Sequence, residues 1–492
     1  MAEENTLTSG MARHWGKAKI LIVLSLAATV FLGPVVLGKK ILSQADVLYF
    51  LAPWTPCRPA ALQRPSNPLL SDQSFHLYPA REFARHQLHE GEVPLWNPFI
   101  LTGTPFLADM VSAVFSPFNI FSYVGDLKRS FAWSALCRLI VAGVGTYYLC
   151  RLLAVSRIGA LLAAISFMLC AFQVVWLNHP QTNVSILLPW ALVAVEKIVT
   201  AGDRLSVLLQ AGVVAGLLLG GHPETALHVA LGSGIFFLYR LGQQWKAGSS
   251  ARTLWSLLAR VGGGALLGLG LAAVVVIPFA ELLWQSGIWE VRGGFPRNPF
   301  VLPPSMSLTA LAPDLFGNPL RGTDYGPKGY NYNERTAYAG LLPLLLTLLA
   351  LWRCRHDWRA RFLLGLGLFC LAIVLGLWPV FDLVTALPIF HHTPNHRLLF
   401  LWQFCVAVLA GVAADDVIRS EQKRQTVVPN SFLMLAGVLS LLPIFLWLVP
   451  QLGLVKQNHR TLYGALYPLD VGGLAVGLFV LCRTGKISAS VW

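Results

Sequence analysis

The sequence predicts an all-α, polytopic membrane protein with about twelve transmembrane helices. Hydrophobic residues make up 55% of its 492 residues and charged residues only 12%, about half the charged content usual in soluble proteins. The mean hydropathy is +0.61. A helix needs about 20 apolar residues to cross a bilayer, and twelve segments approach that length. They are residues 18–38, 131–150, 158–177, 183–199, 205–220, 225–239, 261–280, 337–352, 362–380, 398–414, 431–449 and 467–482.

The distribution of basic residues predicts how these segments are oriented. If the N-terminus is cytoplasmic, the loops on that side carry twenty Lys and Arg, whereas the four short loops on the other side carry only Arg397, Lys456 and Arg460. Short loops rich in Lys and Arg stay in the cytoplasm, so we expect both termini inside. The net charge of +14 fits contact with anionic membrane lipid. It does not indicate nucleic acid, because no basic run alternates with exposed aromatic residues.

The spans divide the chain into three parts. Residues 1–17 form a cytoplasmic tail, residues 18–130 contain the first span and a long extracytoplasmic loop, and residues 131–492 form a multispan domain with a second outer loop at 281–336. The first apolar run is followed by Gly-Lys-Lys, a poor cleavage site, so we expect an uncleaved span rather than a signal peptide.

The first outer loop carries the candidate catalytic carboxylate, because long loops between spans tend to carry function. Asp72 lies early in this loop, where it can be a general base or simply the N-cap of the helix that follows. Residues 80–90 have the pattern of an amphipathic helix lying on the membrane surface, with Arg81 near lipid phosphates. Gly91 ends this helix.

Residues 106–122 of the same loop are apolar but interrupted by Asp109 and Pro117. The interruptions favour a re-entrant or interfacial hairpin over a full span. Together with the amphipathic helix, this hairpin makes the first loop an organised part of the outer face.

A short motif recurs at the outer ends of two spans. His179-Pro-Gln-Thr and His222-Pro-Glu-Thr are 43 residues apart, and each begins an inward-running helix. Pro is common in the first helical turn, so each motif can be a simple turn. Alternatively, the two helix N-termini direct free amides at an anion near the outer face. Glu224 would compete with that anion unless it bound a metal or a sugar hydroxyl.

Two arginines lie at the starts of later inward-running helices. Arg335 ends the second outer loop, and Arg397 follows His391-His-Thr-Pro-Asn-His396. Arginine suits bidentate contact with phosphate, although an interfacial arginine can also reach the lipid headgroups without a specific partner. Cysteine and histidine spacings contain no CxxC or HExxH zinc motif, so a divalent metal is possible but has no defined ligands. No cofactor is predicted.

Several motifs resemble the bacterial YfhO family. They are Asp72, Tyr78-Pro79, Gly91-Glu-Val-Pro-Leu-Trp-Asn-Pro98, Gly103-Thr-Pro-Phe-Leu107, Phe115-Ser-Pro117, Gly221-His-Pro-Glu-Thr-Ala226, Pro394-Asn-His-Arg-Leu-Leu399 and Leu409-Ala-Gly411. The similarity extends over about residues 40–415. Family members are regarded as GT-C-type glycosyltransferases of the bacterial cytoplasmic membrane, which take a sugar from a polyprenyl-phosphate carrier on the outer face. In characterised relatives the sugar is added to a surface polymer such as lipoteichoic acid.

The resemblance implies a GT-C-like fold and a site at the outer face. The GT-C pattern places an acidic residue early in the first outer loop, and Asp72 occupies that position. We expect Asp72 to be the general base of an inverting transfer to a glycan, lipid or protein acceptor. Family members often continue into further spans or an outer domain, so part of the acceptor site is expected to be missing here. The remaining expected residues are, for the donor phosphate, Arg335, Arg397, His179 and His222, and, for the substrate pocket, His76, Tyr78, Trp96, Asn97, Asp109, Glu224 and His396.

Two other functions remain open at this point. An oligosaccharide ligase or polymerase would use His and Arg, for which His391–Arg397 is the candidate segment. A lipid or polysaccharide transporter would bury ionisable residues near the bilayer midplane. The predicted spans are nearly free of such residues except for Arg138, which disfavours transport.

Overall fold

The protein is almost entirely helical. A computed structural model describes residues 18–293, 301–322, 330–422 and 437. The main helices are α1 (Ala18–Phe31), α2 (Tyr78–His89), α3 (Leu127–Leu152), α4 (Arg157–Met168, continued by Ala171–Val175), α5 (Pro180–Ser185, continued by Leu188–Thr200), α6 (Arg204–Leu219), α7 (Pro223–Lys246), α8 (Ala251–Leu271), α9 (Ala273–Gln285), α10 (Leu341–Arg353), α11 (Trp358–Val374) and α12 (Leu399–Gln422).

Short elements occupy the connections. The short α-helices are Gly33–Val36, Ile120–Val124, Ile288–Gly293, Tyr332–Arg335, Val380–Thr385 and Pro388–His391. Single turns of 3-10 or π helix are Ala45–Phe50, Thr55–Cys57, Pro68–Leu70, Gln73–Leu77, Leu107–Asp109, Pro117–Asn119, Pro304–Ala310, Pro319–Arg321 and Asn395–Leu398. The two strands of the described part are β1 (Trp96–Asn97) and β2 (Thr104–Pro105), which pair antiparallel.

Local sequence accounts for where most of the long helices begin. Side-chain oxygens of Asp126, Ser156, Asp203, Ser250 and Asp357 accept hydrogen bonds from backbone amides of the first turns of α3, α4, α6, α8 and α11. These caps satisfy amides that have no partner within the helix. Helices α5 and α7 instead begin with proline, as the recurring His-Pro motif predicts.

The predicted spans agree with the helices where the structure describes them. Ten of the twelve segments contain a helix, and the last two, 431–449 and 467–482, lie outside the described residues. By length and composition, five described helices can cross a membrane. They are Leu127–Leu152, Arg157–Val175, Pro180–Thr200, Ala251–Leu271 and Asn395–Ser420. The structure therefore confirms a mostly helical chain with several helices that are long and apolar enough to cross a membrane.

Helix α12 is the centre of the bundle. Its apolar window is 89% buried, and it packs against α4, α10 and α11. Gly159 of α4 and Gly411 of α12 lie in direct backbone contact, because a Cβ atom added to Gly159 would be 2.3 Å from the Gly411 carbonyl oxygen. Small residues allow membrane helices to approach this closely.

The bundle has two different ends. We call the end that carries the first loop and the turns before α7, α10 and α12 the loop end, and the other the opposite end. At the loop end, Asn178 Nδ2 donates to the Leu42 carbonyl, and the Ala171 amide donates to the Tyr338 carbonyl. At the opposite end, Arg359 donates to the Leu153 carbonyl.

The first loop folds onto the loop end. The predicted amphipathic helix is α2, and its end at Glu90–Gly91 agrees with the prediction, since Gly91 has a φ of +80°. The expected position of Arg81 on the exposed, membrane-facing surface of this helix is wrong, because its side chain is 5% exposed and lies over the Phe131 ring at 4.0 Å. Phe131 on α3 covers the side of α2 that a period of 3.6 residues assigns to solvent.

Residues 106–122 form a compact set of turns instead of a span. Met110 and Ala113 adopt positive φ angles of 60° and 50°, which breaks any continuous helix. Phe106, Leu107, Met110 and Val114 are buried in a small apolar cluster with Ala80, Ala84 and Val275. The segment is thus held by protein contacts, and the prediction that it does not cross the membrane agrees with the described helices.

Candidate functional site

Three helix starts bring charged side chains together at the loop end. They are the start of α7 at His222–Glu224, the turn Tyr332–Arg335, and the turn Asn395–Leu398 before α12. Glu224 and Arg397 are 173 residues apart in sequence, yet their side chains form an ion pair. The site is therefore a product of tertiary packing, with each charge presented where a helix begins.

Arg397 is the centre of this cluster. Its Nη2 donates to Glu334 Oε1 at 2.7 Å and its Nε donates to Glu334 Oε2 at 3.1 Å, which is a bidentate pair. Its Nη1 donates to Glu224 Oε2 at 2.9 Å. The guanidinium also lies 5.5 Å from the ring centroid of Trp176. Arg397 is thus fully engaged by two carboxylates and holds both in place.

A second arginine and a second histidine complete the network. Arg292 Nη1 donates to Glu224 Oε1 at 2.6 Å and to the His392 carbonyl at 3.1 Å. His396 Nε2 lies 2.7 Å from Glu334 Oε2. Glu224, Glu334 and Arg397 retain only 14–16% of their side-chain exposure. Two buried carboxylates and two arginines therefore balance each other's charge.

This environment makes Glu334 a strong acid. Burial alone would raise its pKa, but the hydrogen bond from His396 and the charge of Arg397 hold it well below its usual range. A carboxylate with such a low pKa is a poor proton acceptor. Glu334 therefore serves to orient Arg397 and His396 rather than to take up a proton.

His222 is neutral in the folded protein. Burial and then the charge of Arg397 lower its pKa to about 4. Its Nδ1 accepts a hydrogen bond from the backbone amide of Thr225 at 3.2 Å and lies 2.9 Å from the Thr225 hydroxyl oxygen, so the ring caps the start of α7. Its Nε2 lies 3.2 Å from Arg397 Nη1. This arrangement explains why His and Thr are spaced by three residues in the motif.

The first loop abuts this cluster through Gly221. A Cβ atom added there would lie 2.7 Å from the Ala113 Cβ and 2.8 Å from the Met110 carbonyl oxygen. Just before Met110, Asp109 accepts hydrogen bonds from the amides of Val111 and Ser112. Burial raises the pKa of Asp109, and the nearby His76 and those amides oppose the shift. Asp109 and His76 are thus neighbours at the edge of the site.

Asp72 occupies an open position four residues before His76. Its side chain is exposed, and it makes no capping hydrogen bond to the turn Gln73–Leu77. Tyr78, at the start of α2, stacks on Phe131 with ring centroids 5.9 Å apart. Asp72 is accessible to a large acceptor from outside, but the Arg397 cluster does not include it.

The two most specific family-like motifs pair with each other. Trp96 is opposite Pro105 and Asn97 is opposite Thr104 in the β1–β2 ladder. The Trp96 indole covers Gly103 so closely that a Cβ added to Gly103 would lie 2.5 Å from Nε1. Asn97 is buried and accepts from the Phe99 amide. Trp96 itself stays 54% exposed, so its ring is available for contact with a ligand.

Arg335 points away from the cluster. It is 1% exposed, and its Nη1 and Nη2 donate to the carbonyls of Tyr330 and Phe316 at 2.9 and 3.2 Å. It lines an apolar cavity of about 40 Å³, too small for a phosphate group. The expectation that Arg335 and Arg397 face one ligand is therefore not met by this arrangement.

His179 lies in the turn next to that of His222, since a Cβ atom added to Gly221 would lie 3.3 Å from the Pro180 Cβ. It is 4% exposed, and its ring meets Trp176 edge-on at 5.2 Å. Both predicted helix starts are confirmed, but the His179 side chain makes no capping hydrogen bond to α5. Their suggested role in anion binding stays a prediction.

Sequence reasoning did not select several residues of this region. Glu334 and Arg292 lie in the second outer loop, from which only Arg335 was selected. One helical step of about 100° separates residues 334 and 335. Arg138 gave a usable signal, since an arginine within a predicted span is a candidate functional residue. Within the described ranges, no group of three or more His, Cys, Asp or Glu side chains could hold a metal ion.

Comparisons with known proteins place the chain in a family. A family model described as the bacterial membrane protein YfhO matches residues 82–481, which is most of the sequence, and confirms the resemblance seen in the motifs. No curated protein matches the chain. This chain belongs to the YfhO family of bacterial membrane proteins.

Proposed function

We propose that this chain is a GT-C-type glycosyltransferase of the bacterial cytoplasmic membrane. It transfers a monosaccharide from a polyprenyl-phosphate carrier to a cell-envelope acceptor, a polymer, lipid or protein, with inversion at the anomeric carbon. In this proposal the loop end is extracytoplasmic and both termini are cytoplasmic. Family membership and the charged cluster at one end of an apolar helix bundle support it.

The observation that carries the proposal is an apolar groove between α5, α6, α7 and α8. It has a volume of about 460 Å³ and is lined almost entirely by apolar side chains. Its lining includes Pro223, next to Glu224, and continues along α7 to Phe237, roughly 21 Å at 1.5 Å per residue. A groove of this kind suits the tail of a polyprenyl carrier whose head group is at the loop end.

The proposed reaction is a single displacement. An acceptor hydroxyl oxygen attacks the anomeric carbon, and its proton passes to a carboxylate of the first loop. The bond between the anomeric carbon and the phosphate oxygen breaks, and its electron pair leaves with the carrier phosphate. The donor is a phosphodiester with one negative charge, whereas the released monoester carries up to two.

Asp72 is the proposed general base because it is exposed to an incoming acceptor and adjoins the His76–Asp109 pair. Trp96 offers an exposed ring on which a sugar can stack. Asp109 is the competing base, since a raised pKa brings a carboxylate closer to the operating pH. Asp46 is not a candidate, because its Oδ2 is held by the amide and hydroxyl of Ser66 at 2.6 Å.

The test is release of carrier phosphate by the purified protein in lipid, given a panel of polyprenyl-phosphate monosaccharides. Asp72→Asn is expected to keep the wild-type melting temperature and lose transfer by about 10²–10⁴-fold, the usual contribution of a general base. Asp46→Asn is the matched control for activity. Loss in Asp109→Asn with full activity in Asp72→Asn would move the base to Asp109, and a wild-type protein inactive on every donor would reject the enzyme.

The ligase alternative depends on His396, and the geometry gives it little support. His396 is 2% exposed, and its Nε2 faces Glu334. A His→Gln change there is expected to lower stability rather than to remove a reacting group.

A further inference from the structure

Arg81 on α2 and Arg138 on α3 are two buried arginines with no carboxylate partner among the described residues. Arg81 is 5% exposed and Arg138 is 0% exposed. In the described part of the chain, neither has a carboxylate within ion-pair distance. Arg138 uses Nη1 on the Leu177 carbonyl at 2.6 Å, which leaves Nε and Nη2 without acceptors, and Nη1 of Arg81 is also unmatched.

The two arginines reach the same part of the loop end. Arg81 lies over the ring of Phe131, seven residues before Arg138 on α3, and Arg138 donates to the carbonyl of Leu177, two residues before His179. Two further buried nitrogens in the same place have no partner, Nδ1 of His179 and Nε1 of Trp176. The Trp176 ring also lies 5.5 Å from the guanidinium of Arg397 in the charged cluster. The unmatched nitrogens of these four residues therefore lie together at the loop end, between α2, α3 and the start of α5.

Without a bound ligand, such an arrangement lowers the stability of the folded protein. A buried charge costs several kcal/mol unless it is paired, and two like charges repel each other as well. Burial lowers the pKa of Arg81 only to about 10, so it stays positive at neutral pH. An anion with several acceptor oxygens would satisfy both guanidinium groups and the indole N–H together.

We propose that Arg81 and Arg138, with the Trp176 indole and His179, form a buried binding site for the phosphate group of a lipid carrier. Binding of the phosphate does not depend on the reaction proposed above, but the assignment of its carrier rests on that proposed function. The site and the Arg397 cluster then have separate tasks. Arg397 is already satisfied by two carboxylates, whereas Arg81 and Arg138 are available to an anion.

The positive charge of the site is also expected to lower the barrier of the proposed transfer. Two positive charges match the two negative charges of the leaving monoester better than the single charge of the donor diester. Interactions that strengthen as the bond breaks lower the barrier, whereas equal binding of donor and transition state does not. The carrier monophosphate is therefore expected to bind about tenfold more tightly than its sugar diester.

The experiment is equilibrium binding to the full-length purified protein, followed by tryptophan fluorescence, with a short-chain polyprenyl monophosphate as the probe. Arg81→Gln and Arg138→Gln are each expected to lose about tenfold to a hundredfold in affinity, typical of a charged hydrogen-bond partner. Arg138→Lys keeps the charge and is expected to recover part of the loss. Arg85→Gln, on the same helix with the same charge change, is the control and is expected to bind as wild type.

Each alternative result has a defined consequence. Unchanged affinity in both glutamine variants, with melting temperatures showing folded protein, would overturn the site. Equal affinity for inorganic phosphate, or for the uncharged polyprenol, would overturn the lipid-phosphate assignment. Binding without any sugar transfer would reject the glycosyltransferase proposal and leave the phosphate site intact. Sugar transfer by an Arg138→Gln variant that also binds the probe with normal affinity would reject the phosphate site and leave the glycosyltransferase proposal intact.

Discussion

Arginines at the two ends of the bundle differ in whether they pair with carboxylates. At the opposite end, Arg240, Arg353, Arg359 and Arg419 each pair with a carboxylate. At the loop end, Arg292 and Arg397 are paired in the same way, but Arg81 and Arg138, which are 5% and 0% exposed, have no carboxylate partner among the described residues. Paired arginines hold helices together. Unpaired buried arginines lower stability in the empty protein, which favours a ligand-binding role for them.

The largest effect is expected where a buried pair is broken. Arg240 Nε lies 2.7 Å from Glu196 Oε2, with side-chain exposures of 13% and 5%. Arg240→Met would leave Glu196 buried without a partner, so we expect a loss of about 3–5 kcal/mol. Thermal unfolding in detergent measures this change. An unchanged melting temperature would mean that the pair contributes nothing and that the comparison between the two ends is unfounded.

The matched substitution at the loop end is expected to change the stability of the protein in the opposite direction. Arg138→Met removes a buried charge that has no carboxylate among the described residues, and methionine fills a similar length. We expect the ligand-free protein to gain about 1–4 kcal/mol, as when buried charges are replaced by apolar residues. The same thermal assay, performed after delipidation, tests this sign. Destabilisation comparable to that of Arg240→Met would show that Arg138 is a structural arginine.

The paired cluster at the loop end predicts a dependence of stability on pH. His222 has a folded pKa of about 4 against about 6.5 when unfolded, so the unfolded chain takes up more protons between these values. Stability is therefore full above pH 6.5 and falls by up to about 1.4 kcal/mol per unit between pH 6.5 and 4. Glu334, whose pKa is also lowered, adds a further loss below about pH 4.3.

His222→Gln removes one contribution to the first of these windows. Glutamine does not titrate, so the variant should show a shallower profile between pH 6.5 and 4 and retain the loss at lower pH. The remaining slope comes from His179, whose pKa burial also lowers to about 4. Melting temperatures measured across this range, with His86→Gln as an exposed control, provide the comparison. A variant that follows the wild-type curve would place the titrating group elsewhere.

The smallest effect is expected for an exposed pair on α2. His86 is 66% exposed and Glu90 is 51% exposed, and their side chains lie 3.4 Å apart, one helical turn from each other. Exposed pairs of this spacing contribute only about 0.3–0.5 kcal/mol. Glu90→Gln should thus shift the melting temperature little. A large shift would mean that pairing matters independently of burial, which would weaken the inference from Arg138.

Part of the candidate site was accessible from the sequence. The His-Pro motifs predicted the helix starts at Pro180 and Pro223, because proline fits the first turn and its neighbours have few alternatives. Arg397 was selected because it follows a proline at the start of a helix. The choice of Arg335 over Glu334 could not be corrected from sequence, because both lie in one short turn and only the packing of that turn decides which side chain meets Arg397.

The sequence by itself determined the helical membrane architecture, the ends of helices such as α2, and the family. These depend on apolar runs, caps, prolines and glycines, which act over a few residues. Only the tertiary structure decided which charges are paired and which are not, as with Arg397 and Glu224, or with Arg81 beneath Phe131. The physical reason is that burial sets the value of a charge, and burial depends on neighbours from distant parts of the chain.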